Sequence, residues 1–73
     1  MTAVAMVVGA EVVAGHDGAA ELLVRVRHEN GVVGDTIFSS EVAFAMMLAS
    51  GVERLQDLVG RPWLQVIKGV VNV

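Results

Sequence analysis

The chain has 73 residues, a net charge of -3 and no cysteine, so it is one small domain with neither a disulfide nor a cysteine-built zinc site to support it. Charged residues make up 18% and hydrophobic residues 55%, against about 25% charged in an average globular chain. Five basic residues and a pI near 5.1 exclude a surface that tracks nucleic-acid phosphates.

A small domain has proportionally more surface than a large one and should be more polar than average. This one is less polar. The surplus apolar surface is expected to lie in a subunit interface, which makes the chain a homodimer or higher oligomer. The longest apolar run, Val42 to Ala49, is far short of the roughly 20 residues of a membrane span. The opening "MTAVAMVVGA" lacks a basic n-region and reads as a buried strand, not a signal peptide. The expectation is a soluble cytoplasmic protein, 1–73 as a single domain, with no membrane and no nucleic acid among its partners.

In chain order, "VAMVVGAEVVA" (Val4 to Ala14) is rich in Val and predicts a first strand, with Gly9 a candidate bulge. "GHDG" (Gly15 to Gly18) is a turn. In "ELLVRVRHE", Leu22, Val24, Val26 and His28 alternate with Leu23, Arg25, Arg27 and Glu29, the period of a strand with one dry face. Asn30-Gly31 predicts a type I′ hairpin turn with positive φ at both residues, and Val32 to Phe38 a third strand.

Ser39 or Ser40 caps a helix whose first turn carries Glu41. Between Glu41 and Ser50 that helix has no polar residue. Val42, Ala45, Met46 and Ala49 are expected to pack on the sheet. Ala43, Phe44, Met47 and Leu48 form an equally dry opposite face that needs a second cover. A symmetry-related copy is the expected cover, with Phe44, Met47 and Leu48 at the interface. Ser50 to Glu53 has capping-box spacing and predicts a second, amphipathic helix that ends at Gly60 before Pro62. Trp63 to Ile67 predicts a last strand, which the tail "KGVVNV" extends or leaves frayed.

The residues that carry chemistry are few. His16 beside Asp17 and His28 beside Glu29 lack metal-ligand spacing and belong to opposite ends of the second strand. Asp35 and Glu41 bracket the strand-to-helix passage with no nucleophile near them, and "TIFSSE" lacks the G-x-S-x-G elbow. The glycines are scattered through separate turns and form no phosphate loop. No catalytic residue, metal ligand or cofactor is expected. Trp63 reads as a core residue closing the sheet, or as a binding anchor. Arg25, Arg27, His28, Asp35 and Trp63 are the polar and aromatic groups that would line a ligand pocket if one formed between subunits.

"LLVRVRHENGVVGDTIFSSE", a following helix and then "LQDLVGRPW" resemble the small capping domain of enolase-superfamily enzymes. The resemblance implies a strand-turn-strand followed by helices. The metal ligands of that superfamily lie on its catalytic barrel, so the resemblance carries no active-site residue onto this chain.

The expected fold is α+β: a three-strand antiparallel meander plus a C-terminal strand, packed with a broken helical segment. The expected function is a non-catalytic oligomerisation or protein-interaction module, with the chain itself, or another protein, as partner. The alternative is a small-molecule-binding or catalytic homo-oligomer with its pocket at the subunit interface.

Overall fold

The computed structural model describes residues 4–71, as β1 (Met6–Ala14), β2 (Ala20–Arg27), β3 (Val33–Ser39), α1 (Ser40–Ser50), a 3₁₀ turn (Leu55–Leu58) and α2 (Trp63–Val71). The strands form one antiparallel sheet in the order β1-β2-β3, and the helices close its inner face, giving an α+β domain. Residues 72–73 of the tail lie outside the described residues.

The alternation in β2 fixes the core. Leu22, Val24 and Val26 are all buried, and Val7, Ala43, Met46, Val52, Leu58 and Val66 join them. Each large side chain of this set contributes about 1.5–3 kcal/mol by leaving water. In β1 the register shifts between Val7 and Gly9, so the expected bulge is present. It has a physical reason. Unbroken alternation would put Glu11 on the face of Val7. The extra residue moves Ala10 and Val12 inward, opposite Val24 and Leu22, and leaves Glu11 outward, opposite Leu23.

The second hairpin forms as expected, but its turn is not type I′. Among the described residues only glycines have positive φ, so Asn30 does not, and Gly31 stands alone at 86°. His28 N–H donates to Val32 O at 2.8 Å and Gly31 N–H to His28 O at 2.9 Å. This is a three-residue loop, a type I turn followed by a left-handed glycine. The loop length sets which residues of β3 face inward. A two-residue loop would turn Asp35 toward the core. The observed register pairs Leu22 with Phe38 and Arg25 with Asp35, so the aromatic ring goes in and the carboxylate stays out. His28 closes the loop just past β2; its ring lies beside Gly34, the partner of the buried Val26, so it keeps the face that alternation gave it but is exposed there.

Two further expectations are corrected. The amphipathic helix after Ser50 is only the 3₁₀ turn Leu55–Leu58. Gly51 takes φ 71°, and its N–H and that of Val52 close on Leu48 O and Met47 O, a Schellman stop. Nine residues later the chain turns again at Gly60, with φ 90°, and between the two glycines only Leu55–Leu58 is helical. Second, the C-terminal strand is absent: Trp63–Val71 is helix α2. Trp63, Val66 and Ile67 face the protein at i, i+3, i+4 spacing, while Leu64 and Gln65 are exposed. Pro62 precedes α2, where its missing N–H costs nothing. The returning chain does meet the sheet, but one step earlier. Gly60 N–H donates to Val7 O, Val7 N–H to Arg61 O and Trp63 N–H to Ala5 O, at 2.8, 3.0 and 2.8 Å. These bonds cover the outer edge of β1 at Ala5–Val7.

Candidate functional site

α1 is placed by its two ends. Ser39, with extended backbone, caps it through a hydrogen bond from Val42 N–H to its Oγ at 3.3 Å. The Schellman stop closes the other end. Between them, Ala43 and Met46 are buried, and Val42 and Met47 are half-buried. The inward stripe therefore differs from the expected one, because Ala45 and Ala49 are exposed and Ala43 is buried. Much of the inward cover comes from α2, which packs along α1, and the sheet supplies the rest.

Of the three residues expected at an interface, Met47 packs partly against the core. Phe44 and Leu48 remain 65% and 66% exposed. They stand four apart on one helical face, with Ala45 and Ala49 also exposed on the helix surface. Beside them an apolar groove of about 250 Å³ opens between α1 and the β1–β2 hairpin, lined by Val12, Leu22, Ala43, Phe44, Met47 and Leu55. Val12 and Leu55 were not singled out by sequence reasoning. The Val-rich run around Val12 has no alternation to show which valines face inward, and the bulge alone decides it.

The polar candidates divide. Arg25 and Asp35 pair on the outer face of the sheet, Nε to Oδ1 at 2.9 Å and Nη2 to Oδ2 at 3.4 Å. The hydrogen bond from Arg25 holds the Asp35 carboxyl below its ordinary range, and the same bond raises the Arg25 guanidinium. Arg27, two residues on, is exposed on the same face. His28 is exposed in the hairpin loop, with its ring beside Gly34. Trp63 lies against the core with its ring centroid 6.0 Å from that of Phe38. The sheet thus separates Trp63 from the Arg25–Asp35 pair, and the five residues do not converge on one pocket. His16 and His28 sit in turns at opposite ends of β2. Among the described residues no three His, Asp or Glu side chains cluster as a metal site, and no helix is long and apolar enough to cross a membrane.

No protein-family model, no curated protein and no solved structure matches this chain.

Proposed function

We propose that this chain is a non-catalytic, self-associating interaction module, and that its docking surface is the outer face of α1. The supporting observation is the pair Phe44 and Leu48, two large apolar side chains four apart and about two-thirds exposed. Isolated exposed hydrophobics are common, but a pair continuous with an apolar groove is a patch. Antiparallel pairing of α1 with its copy across a two-fold axis sets Phe44 of each chain near Leu48 of the other. It also keeps the two Glu41 carboxylates at opposite ends. Ala45 and Ala49 are small enough to let the helices approach closely.

The alternative, a ligand-binding or catalytic oligomer, has less support, because Arg25, Arg27 and Asp35 lie on the sheet face away from α1. Sedimentation equilibrium tests the proposal. The wild type is expected at about twice 7.7 kDa, and the double variant Phe44→Glu, Leu48→Lys as a folded monomer. A wild type that stays monomeric at high micromolar concentration would overturn the reading.

A further inference from the structure

Asn30-Gly31 is the one asparagine–glycine pair in the chain, and the fold sets it at the tip of the β2–β3 hairpin. Both residues are exposed, and a Cβ built on Gly31 would meet nothing within 4 Å. Asn30 Oδ1 accepts from Val32 N–H at 3.0 Å, and Gly31 N–H donates to His28 O at 2.9 Å. We propose that this turn is a self-modification site: the Asn30 carboxamide closes onto the Gly31 nitrogen and is then hydrolysed, with water as co-reactant, to aspartate or isoaspartate. The inference is independent of self-association.

The chemistry needs only the turn and water. Hydroxide takes the proton of the Gly31 amide, and the nitrogen lone pair forms a bond to Asn30 Cγ. The Cγ–Nδ2 bond breaks, and Nδ2 takes a proton from water and leaves as ammonia. The product is a succinimide ring. Water then adds to either ring carbonyl. Addition at Cγ breaks the new bond and leaves an ordinary aspartate. Addition at the Asn30 backbone carbonyl breaks the original peptide bond and leaves isoaspartate, with the chain routed through Cβ and Cγ. Nothing is oxidised or reduced.

The fold favours the first step in two ways and opposes it in one. Glycine at 31 leaves the attacking nitrogen with no side chain beside it. The bond from Val32 N–H folds the carboxamide back along the Gly31 peptide and draws electron density from Cγ. The bond from Gly31 N–H to His28 O must open before attack. It is one hydrogen bond in an exposed loop, so its opening slows the reaction by about tenfold at most.

The two products differ in their effect on the hairpin. The β1–β2 turn already carries the aspartate version: Asp17 Oδ1 accepts from Ala19 N–H at 3.0 Å, and Gly18 has φ 87° against 86° at Gly31. Aspartate at position 30 therefore keeps the turn and adds a negative charge. Isoaspartate adds a backbone methylene to a three-residue loop whose length sets the pairing of Arg25 with Asp35 and Leu22 with Phe38. That form loosens β3. The hairpin thus ages irreversibly, with one product silent and the other disruptive.

The test uses the full chain, aged at mildly alkaline pH in buffer and, in parallel, in guanidinium chloride. Trypsin cuts after Arg27 and Arg54, and Asn30 is the one side-chain amide between them, so the mass of that peptide reads deamidation at this site. The folded chain should react within about tenfold of the unfolded rate. Protection beyond that factor would overturn the proposal. Asn30→Asp should keep the wild-type urea midpoint, and limited proteolysis of the aged sample should digest the isoaspartyl form first. An Asn30→Asp chain that fails to fold, or an isoaspartyl form as resistant as the rest, would overturn the contrast between the two products.

Discussion

Gly18 and Gly31 occupy the same position in two turns of the same construction, with φ 87° and 86°. In the first, Gly15 N–H donates to Ala19 O, Gly18 N–H to Gly15 O, and Ala19 N–H to Asp17 Oδ1. In the second, His28, Gly31 and Val32 donate in the same way to Val32 O, His28 O and Asn30 Oδ1. The sequences "HDGA" and "ENGV" are thus one device used twice: an acidic or amide side chain that ties down the backbone two residues on, then a glycine for the left-handed step.

Valine at Gly18 or Gly31 should therefore destabilise the fold by similar amounts, about 1 kcal/mol or more each, because a β-branched residue resists positive φ. Neither position crowds an added Cβ, so the cost is conformational and not steric. Urea midpoints measure it. A variant with an unchanged midpoint would remove the turn assignment at that glycine.

The two serines before α1 should behave differently. Ser39 Oγ accepts from Val42 N–H, so Ser39→Ala should cost about 1 kcal/mol. Ser40 is exposed in the first turn and no side-chain hydrogen bond holds it there, so Ser40→Ala should be close to neutral. Thermal unfolding of the two single variants separates them. Equal losses would mean that the cap is shared.

What was legible in the sequence was the part written in alternation and caps. Leu22, Val24 and Val26 announce β2, and Ser39 with Glu41 announces α1. The turn type was not legible from Asn30-Gly31, because the same dipeptide serves a two-residue and a three-residue loop. The choice rests on cross-strand partners, Leu22 with Phe38 and Arg25 with Asp35. Trp63 to Ile67 was ambiguous for a different reason. Five apolar-rich residues fit period 2 and period 3.6 equally, and the decision came from packing against α1. The groove depended on the bulge at Val7/Gly9, whose position the Val-rich run does not reveal.

Ser50 shows how a local signal was overruled. Its spacing to Glu53 suits a capping box, yet it is the last residue of α1, and its buried Oγ has no hydrogen-bond partner among the described residues. A hydroxyl in that state costs about 1–3 kcal/mol of desolvation, and alanine is the better helix former. Ser50→Ala should therefore leave stability unchanged or raise it by up to about 1 kcal/mol. A clear fall in the denaturation midpoint would mean that the hydroxyl has a partner in solution.

The Arg25–Asp35 pair should leave a trace in the acid limb of the stability curve. The folded state holds the Asp35 carboxyl below its ordinary range. Near the ordinary aspartate value of about 3.9, the unfolded chain therefore binds the proton more readily. The pair's contribution is fully present above that value and is lost as pH falls through the lower folded value. Both groups are about half exposed, so the contribution is small and shrinks with added salt. Asp35→Asn should differ from the wild type above about pH 5 and converge with it as the pH falls below the aspartate range. A difference that does not change with pH would show that the variant acts through something other than the charge.

The last prediction separates the folding core from the docking face, using two residues of the same helix. Met46 is fully buried among Val24, Leu58, Val66 and the rest of the core, while Phe44 is 65% exposed. Met46→Ala removes packed volume that the surrounding strands cannot refill, and it should cost about 2–5 kcal/mol of folding stability. Phe44→Ala removes a larger side chain, but most of its surface is already in water in a single chain. Its cost to the folded monomer should stay below about 1 kcal/mol. At a protein concentration where copies associate, Phe44→Ala should also abolish the rise of the midpoint with concentration that mass action gives the wild type. Urea titrations at two protein concentrations measure both quantities at once. If Phe44→Ala costs as much as Met46→Ala at the lower concentration, the phenyl ring belongs to the core of the single chain. If the wild-type midpoint shows no concentration dependence, α1 has no partner copy to lose.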